Sequence, residues 1–88
     1  MVAKVLVTEK IVACANIFPH IESLYLWKGA LKQEKEVKVF FKTLPGFFEQ
    51  VAEAIQKLCS YDVPEISCVH VTSGNQAYLS WMEGCLGC

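Results

Sequence analysis

The amino-acid sequence predicts an α+β sandwich in which an antiparallel sheet is covered by helices on one face. Two long β-rich stretches joined by a polar connection predict a two-stranded ribbon, and the pattern then changes to that of a helix. The 88 residues form one domain, residues 1–88, and a domain of this size buries only about 60% of the surface of its unfolded chain. The ribbon is too long to be covered by its own domain, which points to assembly.

The ribbon is predicted from residues 13–27 and 36–43. In the first stretch Ile21, Ser23, Tyr25 and Trp27 share one face, with a bend expected near Pro19 because proline cannot donate to a ladder. Residues 28–34 are polar and contain one glycine, so they predict the connection.

Two further strands and two helices complete the prediction. The β-branched run at residues 5–7 and the stretch 65–72 predict strands. Residues 77–86 predict a short amphipathic helix. Residues 47–59 predict a longer one, because apolar side chains recur at the i, i+3, i+4, i+7 spacing: Phe48, Val51, Ala52, Ile55 and Leu58.

Composition excludes several classes of function. The chain has eight lysines, no arginine and a net charge of about −1, so it lacks the basic stripe of a nucleic-acid-binding protein. No apolar run approaches the roughly 18 residues of a membrane span. There is no glycine-rich phosphate loop, and the two histidines are far apart in sequence, so no catalytic constellation is predicted.

The five cysteines do not predict a disulfide scaffold, because their number is odd and the chain is rich in core-forming residues. A reducing compartment is the better interpretation. No secretory signal is recognisable at the beginning of the sequence. Together these observations predict a cytoplasmic protein.

Several short segments, in the same order over about 80 residues, resemble the CutA family of divalent-cation-tolerance proteins. They are Ala13-Cys14-Ala15-Asn16-Ile17, Ser23, Tyr25, Trp27, Gly29, Glu36-Val37, Lys42-Thr43, Tyr61, Pro64-Glu65, Gly74-Asn75, Tyr78-Leu79 and Trp81. The resemblance implies a ferredoxin-like βαββαβ fold with a long hairpin between the second and third strands. It also implies a non-enzymatic homotrimer, architecturally similar to PII signalling proteins and associated with tolerance to copper and other divalent cations.

The resemblance further implies a cleft between subunits that would suit a small ligand. Its predicted lining is Trp27, Lys42, Tyr61, Glu65 and Trp81. A partly buried lysine needs a carboxylate partner, and Glu65 is the expected partner of Lys42. The predicted trimer interface comprises Ser23, Tyr25, Trp27, Gly29, Val37 and Val39.

The beginning of the chain departs from the family pattern. Relatives carry a Thr-x-Pro turn and a helix of some four turns after the first strand, whereas here Thr8 is followed at once by Glu9. A crossover between parallel strands needs about a dozen residues or more. Either the first strand is displaced or merged with the second, or a segment is missing from the sequence, so the first helix is shortened, missing or unrecorded.

Metal binding in the manner of the family is weakly supported. The positions that the resemblance aligns with the family's copper ligands are Leu6, Leu58 and Cys59. Only Cys59 has a side chain able to bind a metal, as a thiolate suited to Cu(I). Cys68 and His70, two residues apart on one predicted strand face, offer half of another site.

A second class of function rests on thiols. Cys85 and Cys88 form a C-x-x-C pair, which is a spacing able to hold a soft metal or form a redox couple. The alternative hypothesis is therefore a thiol-based carrier of soft metals or a redox protein, with Cys59 as a third thiol. Divalent cations or copper are possible ligands in both hypotheses, and neither requires a cofactor.

Overall fold

The computed structural model describes residues 2–58 and 64–87. In chain order it has helix α1 (Val2–Thr8), strands β1 (Cys14–Trp27) and β2 (Ala30–Lys42), a 3-10 turn (Pro45–Phe47), and helices α2 (Phe48–Leu58) and α3 (Gln76–Cys85). The α+β class and the long hairpin are confirmed. Both later helices lie within one residue of their predicted bounds.

The hairpin is a continuous antiparallel pair apart from one irregularity. Pairing runs from Cys14 opposite Lys42 to Trp27 opposite Ala30, and the register shifts between Phe18 and Ile21. The shift brackets Pro19, whose missing N–H cannot join the ladder. The predicted bend therefore lies where proline interrupts the pairing.

The connection between the strands is much tighter than predicted. Only Lys28 and Gly29 separate β1 from β2, so the expected connection over residues 28–34 is wrong and most of it belongs to β2. Both turn residues have positive φ, 51° and 79°. Two consecutive left-handed residues suit the right-handed twist of a hairpin, and glycine takes this conformation without the steric penalty of a Cβ.

A small core joins the helices to the sheet. The core consists of three buried side chains that pack together. Leu6 of α1 is 0% exposed, Val12 in the turn after α1 is 1% exposed, and Val51 of α2 is 6% exposed. The partly buried residues packed around them are Val2, Ile11, Phe41, Ala54 and Ile55. Phe41 brings β2 into this cluster, so α1 and α2 both contact the hairpin at its base.

The predicted strand at residues 5–7 is wrong, because this segment lies within α1. A helical turn places Ala3 and Leu6 on one buried side, and this burial outweighs the β-propensity of the flanking valines. The chain then turns directly into the hairpin. The N–H of Glu9 donates to the carbonyl of Val5 (2.9 Å), so the helical hydrogen-bonding pattern of α1 continues past Thr8 to Glu9.

The predicted strand at residues 65–72 is also wrong as an element of the sheet. Residues 64–75 run without a turn or bend and have no assigned strand. Residues 64–74 make no backbone hydrogen bond to any residue within 2–58 and 64–87. The sequence has strand character, but a strand exists only with a paired neighbour.

The end of α3 is fixed to the beginning of the chain. The N–H of Gly87 donates to the carbonyl of Lys10 (2.9 Å), and Leu86 is only 7% exposed. This contact holds α3 beside the turn that links α1 to β1. Lys10 itself adopts φ of 62° in that turn.

We expect Gly29→Ala to destabilise the protein by about 1–2 kcal/mol, because an L-residue pays roughly this amount in the left-handed region. The chain offers a matched control in Gly46→Ala, since a Cβ at Gly46 meets no atom within 4 Å and its φ lies outside the left-handed region. Urea unfolding measures both variants. Equal midpoints for the two would show that the turn does not restrict residue 29.

Candidate functional site

The described residues bring a lysine and two aromatic rings together at the base of the hairpin. Lys42 Nζ donates a hydrogen bond to the hydroxyl of Tyr78 (3.1 Å) and lies 5.1 Å from the centre of the same ring. The rings of Tyr78 and Trp81 are 5.5 Å apart between centres and tilted by 40°. We call Lys42, Tyr78 and Trp81 the lysine–aromatic cluster.

Local structure explains this arrangement. Lys42 is the last residue of β2, so its side chain extends from the edge of the ladder beyond the core. Tyr78 and Trp81 are three residues apart on α3 and therefore share one side of the helix. Trp81 is 52% exposed, so the cluster has one open aromatic side available for a ligand or a neighbouring subunit.

The cluster alters the acidity of its lysine. The hydrogen bond with Tyr78 raises the pKa of Lys42, and electrostatic interactions with Tyr78 and, more weakly, Cys14 act in the same direction. Partial desolvation opposes the increase. Cys14 takes part because it is paired with Lys42 at the start of the ladder.

Lys42 and Glu65, which are predicted partners in a cleft between subunits, do not contact each other in the described part of one chain, and their pairing across subunits stays a prediction. Lys42 contacts Tyr78 instead, and the carboxylate of Glu65 accepts a hydrogen bond from Ser67 Oγ (3.1 Å). Glu65 belongs to the exposed segment that pairs with no described strand, whereas Tyr78 is positioned by α3. Tyr78 lies within the helix predicted at residues 77–86 but is not among the predicted cleft residues.

The other predicted cleft residues do not meet the cluster in one chain. Trp27 pairs with Ala30 at the tip of the hairpin, and Lys42 lies at the opposite end of β2. Twelve residue steps at about 3.3 Å place them roughly 40 Å apart. Tyr61 lies outside the described residues. Among the four lining residues that the structure describes, a single protomer therefore brings Lys42 and Trp81 together and leaves Trp27 and Glu65 apart from them.

The predicted trimer interface lies mostly along the outer part of the hairpin. Ser23 Oγ donates to Glu36 Oε2 across the strands (3.1 Å). The hydrogen bond to Glu34 raises the pKa of Tyr25, and desolvation and the negative charges of Glu34 and Glu36 add to this effect. Exposed large apolar side chains are also concentrated here: Leu24 (63%), Leu26 (73%), Trp27 (57%), Leu31 (69%) and Val37 (58%).

The predicted metal ligands are not gathered into a cluster of three or more in the part of the chain that the structure describes. Cys68 is an exposed free thiol and Cys85 a partly buried one, while His70 is exposed; Cys59 and Cys88 lie outside the described residues. Within 2–58 and 64–87, no three Cys, His, Asp or Glu residues form a group able to hold a metal ion.

The alignment of Leu6 with a copper-binding cysteine of a first strand is also wrong. Leu6 lies in a helix and is fully buried in the core.

No helix among the described residues combines the length and apolar character needed to cross a membrane.

Comparison with known proteins identifies the class to which this fold belongs. The family model described as "CutA1 divalent ion tolerance protein" matches residues 1–85. The chain therefore belongs to the CutA1 family. Among named relatives, the divalent-cation tolerance protein CutA of Thermus thermophilus is 37% identical over 82 residues, which are 93% of this chain and 80% of that protein. The Escherichia coli protein of the same name is 40% identical over 86 residues, 98% of this chain and 76% of that one.

Solved structures agree with this assignment. The Thermus thermophilus CutA1 structure has a TM-score of 0.91 at 36% identity. The match covers 98% of this chain and 84% of the Thermus chain. CutA1 from Oryza sativa has a TM-score of 0.92 at 32% identity, and the match covers 98% of this chain and 79% of the Oryza chain. A structure described as the periplasmic divalent cation tolerance protein CutA of Archaeoglobus fulgidus has a TM-score of 0.89 at 31% identity, with coverages of 96% and 81%.

We expect Tyr78→Phe to lower the pKa of Lys42, because the substitution removes the hydroxyl that accepts its hydrogen bond. A raised lysine pKa stabilises the folded state below the ordinary lysine value of about 10.4, and this contribution is lost as the pH rises through the higher folded-state value. NMR titration of isotopically methylated lysines measures the change. Tyr25→Phe is the control and should leave Lys42 unaffected; an identical Lys42 titration in both variants would contradict the assigned contact.

Proposed function

We propose that this protein is a non-enzymatic homotrimer that acts in tolerance to divalent cations, copper among them, through binding and scaffolding or PII-like signalling. The observation that carries the proposal is the exposed apolar surface at the outer end of the hairpin. Family membership supplies the link to divalent cations, since the relatives are named for tolerance to them.

The apolar surface favours assembly for a physical reason. Leu24 and Leu26 are two residues apart on one face of β1, and Leu31 is paired directly with Leu26. All three are more than 60% exposed, and none of the helices in the described ranges covers them. Contiguous exposed apolar side chains beside open strand edges are typical of protein interfaces, so we expect neighbouring copies to cover this surface.

Assembly would also complete the predicted cleft. The tip of one hairpin carries Trp27, and the base of another carries Lys42, with Trp81 on the adjacent helix α3. Pairing of long hairpins between subunits would bring these ends together, with Tyr61 and Glu65 as further lining. The resulting site would combine a lysine with aromatic walls and would suit a small polar ligand.

We propose a cytoplasmic location, because an odd number of cysteines in a chain rich in core-forming residues favours a reducing compartment. The Archaeoglobus relative is described as periplasmic. Fractionation of the native cell, with the oxidation state of the thiols measured in each fraction, distinguishes these locations.

Leu26→Lys should break the assembly, because it places charges in the surface that neighbouring copies would cover. Light scattering measures the mass, and we expect three chains for the unmodified protein and fewer for the variant. Leu58→Lys is the matched control, since Leu58 is an exposed leucine (53%) on α2, away from the ribbon. A monomeric unmodified protein, or equal masses for the two variants, would contradict the proposal.

Titration with Cu(I) separates this function from the thiol-carrier alternative. We expect that changing both Cys85 and Cys88 to Ser leaves copper uptake unchanged, because the cleft does not use these thiols. Uptake is measured by competition with a chromogenic chelator under a non-thiol reductant. Tight stoichiometric uptake that disappears in the double variant would favour the carrier instead.

A further inference from the structure

Lys42 has hydrogen-bonding capacity that the described residues of its own chain leave unused. A lysine ammonium carries three N–H donors and no acceptor, and the hydroxyl of Tyr78 accepts from one of them at 3.1 Å. Lys42 is partly buried, and among residues 2–58 and 64–87 no carboxylate forms an ion pair with it. A partly buried ammonium with free donors is complementary to an anion.

The surroundings of this ammonium favour an anion over a metal ion. Tyr78 and Cys14 raise the pKa of Lys42, and in the described part of the chain no Asp or Glu side chain contributes to the increase. A divalent cation placed beside Lys42 would meet a positive charge without a carboxylate from these residues to offset it.

The charge of the site suits a carboxylate. One ammonium balances one negative charge, whereas a phosphate carries nearly two at neutral pH. The next lysine on the same face of β2 is Lys38, four residues away, which corresponds to about 13 Å along a strand. A ligand group held by Lys42 is therefore too far from Lys38 for a second ion pair.

Trp81 places a flat apolar surface beside these free donors. Its side chain is 52% exposed, and its ring lies 5.5 Å from that of Tyr78 between centres, with a tilt of 40°. Tyr78 thus contacts the ammonium through its hydroxyl and the indole through its ring. A planar ligand ring would add a further offset or tilted stacking contact on the open side of Trp81.

We propose that the cleft binds a small aromatic carboxylate, with its anionic group on Lys42 and its ring on Trp81. The inference deepens the function proposed above and rests on it, because assembly is what would close the cleft around the ligand. It names the class of that ligand as a planar monoanion, and it does not place the divalent cations of the proposed function at Lys42.

The test compares probes of one shape and different charge on the full reduced chain at neutral pH: benzoate, benzamide and benzylammonium. Affinities are measured by NMR titration observed on the probe, and the indole N–H signal of Trp81 locates the site. We expect benzoate to bind about tenfold more tightly than benzamide, because a charge-assisted hydrogen bond is roughly twice as strong as a neutral one. Benzylammonium should bind least, since Lys42 repels it.

Variants of the cluster assign the two parts of the ligand. Lys42→Gln should remove the preference for benzoate over benzamide, and Lys42→Arg should keep it, because arginine retains the charge and the donors. Trp81→Leu should weaken both probes by a similar factor, since it removes the stacking surface alone. Lys57→Gln is the control, because Lys57 is an exposed lysine on α2 paired with Glu53, and it should behave like the parent.

Equal affinities for benzoate and benzamide in the unmodified protein, or a preference that survives Lys42→Gln, would overturn the inference. Glu65→Gln should leave benzoate binding unchanged. Binding that appears only in this variant would show that Glu65 of the assembly occupies Lys42, and it would also overturn the inference.

Light scattering on the same samples separates this inference from the proposed function. A trimer without a preference for benzoate would overturn the ligand class alone. A monomer that prefers benzoate would contradict the proposed assembly and support the assignment of Lys42 as the anion-binding residue.

Discussion

The contact among Leu6, Val12 and Val51 is the constraint on which the rest of the structure depends. These three side chains join α1, the turn after it and α2 into one cluster, which Phe41 connects to β2. Each buried side chain of this size contributes about 1.5–3 kcal/mol, so the cluster is small for a chain of 88 residues. The hairpin extends far beyond it and has no comparable support at its outer end. The apolar residues are therefore distributed so that the packed core lies at one end of the hairpin and exposed apolar side chains lie at the other.

The sequence predicted those elements whose pattern is local. Residues 48–58 show helical periodicity with polar residues between the apolar positions. In the second strand of the hairpin, Val37, Val39 and Phe41 stand at every second position, which is the period of a strand. The strand prediction for residues 5–7 was wrong because the run Val-Leu-Val is compatible with a strand or a helix. Burial of Ala3 together with Leu6 favours the helix. Residues 65–72 have strand composition, but a strand requires a neighbour, which composition does not reveal.

The candidate site was predictable only in part, because it depends on contacts between distant elements. Lys42 and Trp81 were both predicted, but Tyr78 occupies the position expected for Glu65. The choice is set by the placement of α3, which the bond between Gly87 and Lys10 helps to fix. A backbone bond of this kind has no signature in the sequence.

The register shift at Pro19 has a mechanical consequence. It divides the hairpin into a base, which packs on the helices through Phe41, and an outer arm held to the base by the two strands alone. Because the ladder is interrupted there, we expect bending of the hairpin to be concentrated at Pro19 rather than in the packed base. Pro19 thus marks the boundary between the part of the hairpin that the helices support and the part that they do not.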